Sequence, residues 1–173
     1  KMKKYTLIGL TIFFLKTISA QQYFGTTVFG NAGIETNYDM AVDSQGNIFS
    51  VGLYTGSLTV GTTTVNHNGG NADAYLTKHD SEGNPLWIKS FGGQADDVAI
   101  TVAVDSNDDV ILSGYFQGSG SNSFDADPGP DVYQLSQTSI ILSRDCFIVK
   151  VNNDGDLIWA RQVSNPSGGA ANE

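Results

Sequence analysis

The residues best suited to chemistry sit in one short stretch, Asp125-Ala126-Asp127-Pro128-Gly129-Pro130-Asp131. Alternating carboxylates separated by backbone carbonyls are hard oxygen donors, the kind of ligand set that Ca²⁺ takes. Asp125, Asp127 and Asp131 are therefore candidate calcium ligands. Their spacing departs from the EF-hand loop, which closes on a Glu that this stretch lacks. The competing reading is a proline-stiffened turn whose acids are solvated. No other cofactor is indicated. His67 and His79 fall in a hairpin loop and at a turn entry, neither with a partner at metal-ligand spacing. Asp96-Asp97 and Asp108-Asp109 are adjacent carboxylates, and adjacent strand residues point to opposite faces, so they make poor acid/base pairs. They read as solvated turn residues. The chain carries no G-x-S-x-G, H-E-x-x-H or phosphate-cradling glycine loop, and Gly118-Ser119-Gly120-Ser121 reads as a flexible connector. No catalytic residue is assigned.

The elements that must position these residues are repeated. Phe29 to Gly52 aligns without gaps on Phe91 to Gly114 at an offset of 62, matching Gly30 to Gly92, Ala41 to Ala103 and Asp43 to Asp105. Ala74 to Trp87 aligns on Cys146 to Trp159 at an offset of 72, matching Lys78 to Lys150 and Gly83 to Gly155. The ten extra residues of the second copy fall between Gly114 and Asp145, in the region that holds the acidic stretch. Length variation confined to one connection is how repeat arrays vary, because a loop tolerates insertion and a packed strand does not.

Each periodic segment after Gln21 reads as strand. Ala99 to Val104 alternates, which places Ile100, Val102 and Val104 on one face and Ala99, Thr101 and Ala103 on the other. Between strands lie residues 43–47, 80–84, 105–109 and 152–156, each opening on Asp or Asn and, in three of the four, carrying Gly fourth. That is hairpin chemistry: the first side chain caps the turn and the glycine takes the positive-φ position. Across the second copy the strands fall at Ala99–Val104, Val110–Gly114, Phe147–Val151 and Leu157–Val163. Four antiparallel strands per repeat is the blade of a propeller. The expected fold is all-β, with β-propeller-like repeats of four-stranded antiparallel blades. Repeat units run over about 29–91 and 92–163, within a region spanning 21–173. Trp87 and Trp159 are expected to stack between blades, and Lys78 and Lys150 to sit mid-strand within reach of carboxylates.

These residues also carry a family resemblance. AYLTKHDSEGNPLWIKSFGGQADDVAITVAVDSNDDVILSG resembles the SBBP (seven-bladed β-propeller) repeat of secreted bacterial proteins of the Bacteroidetes type. Phe124 to Ser136 looks like an insertion found in such blades. The resemblance extends over Phe29 to Val163 and departs at Asp109, where Gly-Asn is expected, and after Val163. It implies a propeller fold and an extracellular setting, and no reaction.

Residues 1–20 read as a signal peptide: Lys3-Lys4, an apolar run from Leu7 to Leu15, and a small-residue site with cleavage after Ala20. The run is too short for the roughly 20 residues that span a bilayer. The expectation is export, to the medium or the outer cell surface, with no membrane insertion after cleavage. Lys1, Lys3, Lys4 and Lys16 hold four of the nine basic residues, so the remainder has five against eighteen acidic ones, a net charge of −13. Such a surface argues against nucleic acid or anionic lipid as partner. The single Cys146 makes no internal disulfide and, aligned with Ala74, is expected to be a small buried side chain.

Closed propellers need about 4–8 blades, whereas residues 21–173 supply about two blades and a half-repeat. The expectation is an incomplete propeller, the N-terminal part of a longer chain whose remaining blades are its first partner. The function that follows is a non-catalytic binding or scaffold module for an extracellular glycan or protein. The alternative is the N-terminal part of an extracellular polysaccharide hydrolase or lyase, with the question of catalysis open.

Overall fold

A computed structural model of the chain describes residues 33–117, 123–136 and 144–163. The expected leader at 1–20, Phe29 and Gly30, the connector at 118–121 and the segment after Val163 lie outside the described residues.

All regular elements among the described residues are strands. The first four-stranded antiparallel sheet contains β1 (Glu35–Val42), β2 (Ile48–Tyr54), β5 (Asp73–His79) and β6 (Pro85–Phe91), in the order β1-β2-β5-β6. Between β2 and β5 a small hairpin is inserted, β3 (Ser57–Val60) with β4 (Thr63–Asn66). The second sheet repeats the plan with β7 (Asp97–Val104), β8 (Val110–Phe116), β11 (Asp145–Val151) and β12 (Leu157–Val163). Its middle connection carries the pair β9 (Phe124–Asp125) and β10 (Gln134–Leu135). These are the four-stranded blades that the repeat spacing predicts. The two inserted pairs were not expected, because strands of two to four residues carry almost no periodic signal.

The four tight turns close as their first residues dictate. Asp43 accepts hydrogen bonds from the amides of Gln45 (2.9 Å) and Asn47 (2.8 Å), and Asp80 from those of Glu82 (2.9 Å) and Asn84 (2.8 Å). Asp105 does the same for Asn107 and Asp109, and Asn152 for Asp154 and Asp156. The fourth residue is left-handed each time, with φ of 85° at Gly46, 85° at Gly83 and 84° at Gly155. In the third turn that place is taken by Asp108, at φ 62°. Aspartate tolerates this region better than most residues because its short side chain finds local hydrogen bonds.

The expected alternation in β7 is overturned at its middle. A bulge between Ala99 and Thr101 leaves Ile100 without a partner and 46% exposed, while Ala99 and Val102 are both buried. The core face is thus Ala99, Val102 and Val104, not Ile100, Val102 and Val104. An extra residue in one strand reverses the parity of everything after it. The first sheet has the same bulge at the matching place, between Asn37 and Asp39, with Tyr38 half-exposed. Each bulge presses a carbonyl onto the next strand. A Cβ at Gly52 would lie 1.8 Å from the Thr36 carbonyl oxygen, and one at Gly114 1.9 Å from that of Val98. The repeated glycine of β2 and β8 is therefore required by its neighbour's bulge.

The sheets pack face to face. Phe49, Val51, Ala74 and Leu76 of the first share one core with Val110, Leu112, Phe116, Phe147, Val149 and Val151 of the second, and Phe124, Ala126 and Leu135 extend it. Trp87 stands at this junction as expected, 6.0 Å from the Phe49 ring and against Gly155. A smaller cluster, Tyr54, Leu58, Val60, Tyr75 and Ile88, joins the first sheet to its β3–β4 hairpin. Among the described residues, the opposite face of the second sheet is open. Ile111, Ser113 and Ile148, counterparts of buried Phe49, Val51 and Leu76, are only partly covered, and Trp159 is half-buried under Arg161. Cys146 lies on the same face and is exposed, contrary to the buried place its alignment with Ala74 predicts. Ala74 is covered by the second sheet, whereas nothing among the described residues packs over Cys146 in the same way.

Gly114→Ala is expected to destabilise the chain by about 3 kcal/mol, since a backbone clash cannot relax as a flexible side chain can. Chemical denaturation of both proteins checks this. A loss below about 0.5 kcal/mol would mean that the bulge is not held as described.

Candidate functional site

The topology sorts the polar residues onto two ends of the paired sheets. One end carries the four tight turns. The other carries the connection 55–72, the described part of the second middle connection at 123–136, and the crossover 92–96 from the first sheet to the second.

At the turn end the two repeats are laced together. Asp108 accepts hydrogen bonds from the Ser44 amide (2.9 Å) and hydroxyl (2.6 Å), so its left-handed turn clips onto the matching turn of the first sheet. Asn153 donates to Asp43 Oδ2 (3.2 Å) and to the Asp108 carbonyl (3.0 Å). Lys78 Nζ donates to the Asn153 carbonyl (3.2 Å) and to its side-chain oxygen, and lies 5.4 Å from the centre of the Phe49 ring. Its anchor is therefore an amide of the neighbouring sheet and not the carboxylate its position suggests. Lys150 does pair with carboxylates, Asp105 at 2.8 Å and Asp109 at 2.9 Å. The Asp108-Asp109 departure from Gly-Asn thus supplies one cross-repeat clip and one ion-pair partner. Hydrogen bonding from Lys150 holds the Asp105 carboxyl below its ordinary value, and hydrogen bonds to Asp105 and Asp109 raise the Lys150 ammonium. Nearer the inner edge, Asp39 of β1 accepts from the Val102 amide (3.0 Å) and the Thr101 hydroxyl (2.8 Å) of β7.

At the other end lie the residues singled out as calcium ligands. Asp125 Oδ1 accepts from the amides of Asp127 (3.0 Å) and Tyr133 (3.0 Å), and Asp127 Oδ1 from that of Gly129 (2.8 Å). Asp131 is exposed. Two of the three carboxylates therefore staple the loop that carries them. Among the described residues, no three His, Cys, Asp or Glu side chains lie together in a set that could hold a metal ion. His67 Nδ1 accepts from the Gly69 amide (3.1 Å), and burial lowers the pKa of His79 at the end of β5. Asp96 binds the backbone and side chain of Asn71.

Asp97 is not the solvated residue its sequence context suggests. It is fully buried, as is Asp73 at the start of β5, and each has one oxygen, Oδ1, without a hydrogen-bond partner. Both press on Gly92, where a Cβ would stand 2.9 Å from Asp73 Oδ1 and 2.9 Å from Asp97 Oδ2. Burial raises Asp73 to about 7 and Asp97 to about 8. Asp73 escaped sequence reading, although its match to Asp145 at the 72-residue offset marks a repeated acid at a strand start.

Comparison with known proteins bears on the scaffold. The chain is similar to an uncharacterized WD repeat-containing protein of Acanthamoeba polyphaga mimivirus, 28% identical over 135 residues that cover 73% of this chain. The chain is built of β-propeller-like repeats. It matches 9% of the length of the viral protein. No protein-family model matches the chain. With this geometry, the polar side chains of both ends direct much of their hydrogen bonding to backbone amides and to one another. They shape rigid loops on a repeat scaffold.

Lys150→Met is expected to lower the melting temperature at pH 7. A lowered Asp105 pKa stabilises above the ordinary value of 3.8, and that contribution is lost as pH falls through the folded value. The variant should therefore also lose less stability on acidification than the parent. Melting curves from pH 2 to pH 7 check both effects, and parallel curves for the two proteins would contradict the pairing.

Proposed function

We propose that this chain is the repeat region of an exported propeller of the SBBP type, acting as a non-catalytic binding or scaffold module for an extracellular glycan or protein. The observation that carries the proposal is the division of labour across the two sheets. Hydrogen-bonding side chains at the turn end tie repeat to repeat, while the opposite end displays the longest and most variable connections. Loops held by a rigid scaffold are where recognition is usually placed. An acidic chain with candidate signal residues at 1–20 fits an extracellular setting.

The first partner in this reading is further repeat sequence. Ile111 and Ile148 occupy the positions that Phe49 and Leu76 bury in the first sheet, and Trp159 that of Trp87, which packs against the core, so this face has the chemistry of a blade interface. Repeats of this kind are stabilised by their neighbours as much as by themselves. Calcium at Asp125, Asp127 and Asp131 remains an optional part of the proposal, supported by the donor types alone.

The test is made on the longest natural reading frame containing these repeats. Purified protein is screened on a glycan array and against extracellular polymers, with release of reducing ends measured in parallel. Binding without release is expected; turnover would replace the proposal with an enzyme. In that longer protein, Ile148→Glu should cost about 3 kcal/mol through an unpaired buried charge, against less than about 0.5 kcal/mol in residues 21–173 alone. Equal effects in the two proteins would mean that no blade covers this face.

A further inference from the structure

Gly92, the first residue of the crossover between the two sheets, is flanked by two carboxylates that the scaffold does not neutralise. Asp73 starts the third strand of one blade and Asp97 the first strand of the next. Both side chains are fully buried. Asp73 Oδ2 accepts from the Asn68 amide (2.7 Å) and Asp97 Oδ2 from the Gly93 amide (2.7 Å), which leaves Oδ1 of each unpartnered. A single point, the Cβ position that Gly92 lacks, lies 2.9 Å from both Asp73 Oδ1 and Asp97 Oδ2. The two carboxyls therefore border the same space, the one a Gly92 side chain would fill.

Two anions cannot share such a place cheaply. Removing a carboxylate from water is costly without a counter-charge, and a second one nearby adds repulsion. The ionisable groups around the pair offer no relief. They are Tyr54 on β2, His67 in the connection before Asp73, Asp96 beside Asp97, Asp125 on the strand bridged to Gly92, and Asp145 across the second sheet. Arg144 at this end lies 4.1 Å from the centre of the Tyr115 ring, and none of the ion pairs among the described residues includes Asp73 or Asp97. A proton is the smallest group that relieves the site. It removes the buried charge of each carboxyl, while both Oδ2 atoms keep their amides.

We propose that Asp73 and Asp97 both take up protons in the folded protein, forming a buried acid pair between consecutive blades that tightens on acidification and loosens in alkali. Burial, the first cause of the raised values at both groups, places the transition near neutral pH and not in the acid range of free carboxylates. The sign follows. A group whose folded pKa lies above its unfolded value keeps its proton on folding, so folding is favoured as pH falls through that window. Between the ordinary value of 3.8 and the raised ones, the folding equilibrium should weaken by up to about tenfold per pH unit for each proton retained. The placement gives the pair a mechanical meaning. Ala72 accepts from the Asp97 amide (2.9 Å) and Gly92 is bridged to Asp125, so the backbone of both blades converges on the pair.

The experiment follows the carboxyl carbons of Asp73 and Asp97 by NMR through a titration of the full chain in chelator, alongside melting curves from pH 5 to pH 9. Midpoints near neutral are expected for both groups, with a melting temperature that falls as pH rises. Asp97→Asn keeps the shape and removes one titrating group. It should lose about half of that pH slope, while Asp73, raised by its own burial, keeps its midpoint near neutral. Midpoints of both residues in the ordinary acid range would overturn the proposal. So would a stabilisation by added Ca²⁺ or Mg²⁺ at pH 8 that Asp97→Asn abolishes, which would assign the pair to a cation instead. If Asp97→Asn fails to fold, the titration of the unmodified chain decides alone.

Discussion

A four-stranded sheet has two faces and cannot bury both of its own accord. Everything else in this chain answers to that constraint. The apolar residues of β2 and β5 are covered only because β8 and β11 present Val110, Leu112, Phe147 and Val149 to them. The hydrophobic gain is non-directional, and would by itself allow the sheets to slide or rotate. Register is fixed by polar contacts around the rim. The Ser44–Asp108 clip, the Lys78–Asn153 contact and the Asp39–Val102 bond each join a residue of one repeat to a residue of the next. Individually such exposed or half-exposed bonds contribute little, of the order of 1 kcal/mol each. Together they choose one docking among many of similar buried area.

The repeats are similar without being interchangeable. Ser50, Thr77 and His79 are buried in the first sheet at positions where the second holds Leu112, Val149 and Val151. The face that the second sheet offers to its neighbour is apolar, whereas the matching face of the first is partly polar and is partly covered by its own β3–β4 hairpin. The inserted hairpin therefore does in the first repeat some of what a preceding sheet would do. In the second, Phe124 and Leu135 of the corresponding insertion enter the shared core, with Phe124 stacked on Phe147 at 4.5 Å. One connection thus serves as cover in one repeat and as wedge in the other.

The parts of this design that depend on local chemistry are legible in the chain. A turn opening on Asp or Asn with Gly fourth requires its shape whatever surrounds it, and the three such turns close accordingly, with Asp108 taking the glycine's place in the other. The strand positions follow from short β-rich runs between them. What depends on a neighbour is not legible. Ile100 and Tyr38 look like ordinary members of an alternating strand, and only the glycine on the adjacent strand records that a bulge is there. Asp73 and Asp97 have the same letters as the solvated acids of the turns; their burial is a property of the crossover that folds over them. Cys146 aligns with a buried alanine, yet its environment is set by what does or does not lie beyond the second sheet. The acidic loop at Asp125 was visible as a set of oxygen donors, but which amides those oxygens cap could only come from the loop's path.

The docking of the two sheets is tested most directly at the Val102 amide, which lies in the second repeat and is held by Asp39 of the first. Hydrogen exchange at that amide is compared between the chain and Asp39→Ala. Strong protection in the parent and a selective loss in the variant, with the amides of β8 and β11 unchanged, is the expected result. An unprotected Val102 amide in the parent, or protection indifferent to Asp39, would contradict the face-to-face packing on which the repeat architecture stands.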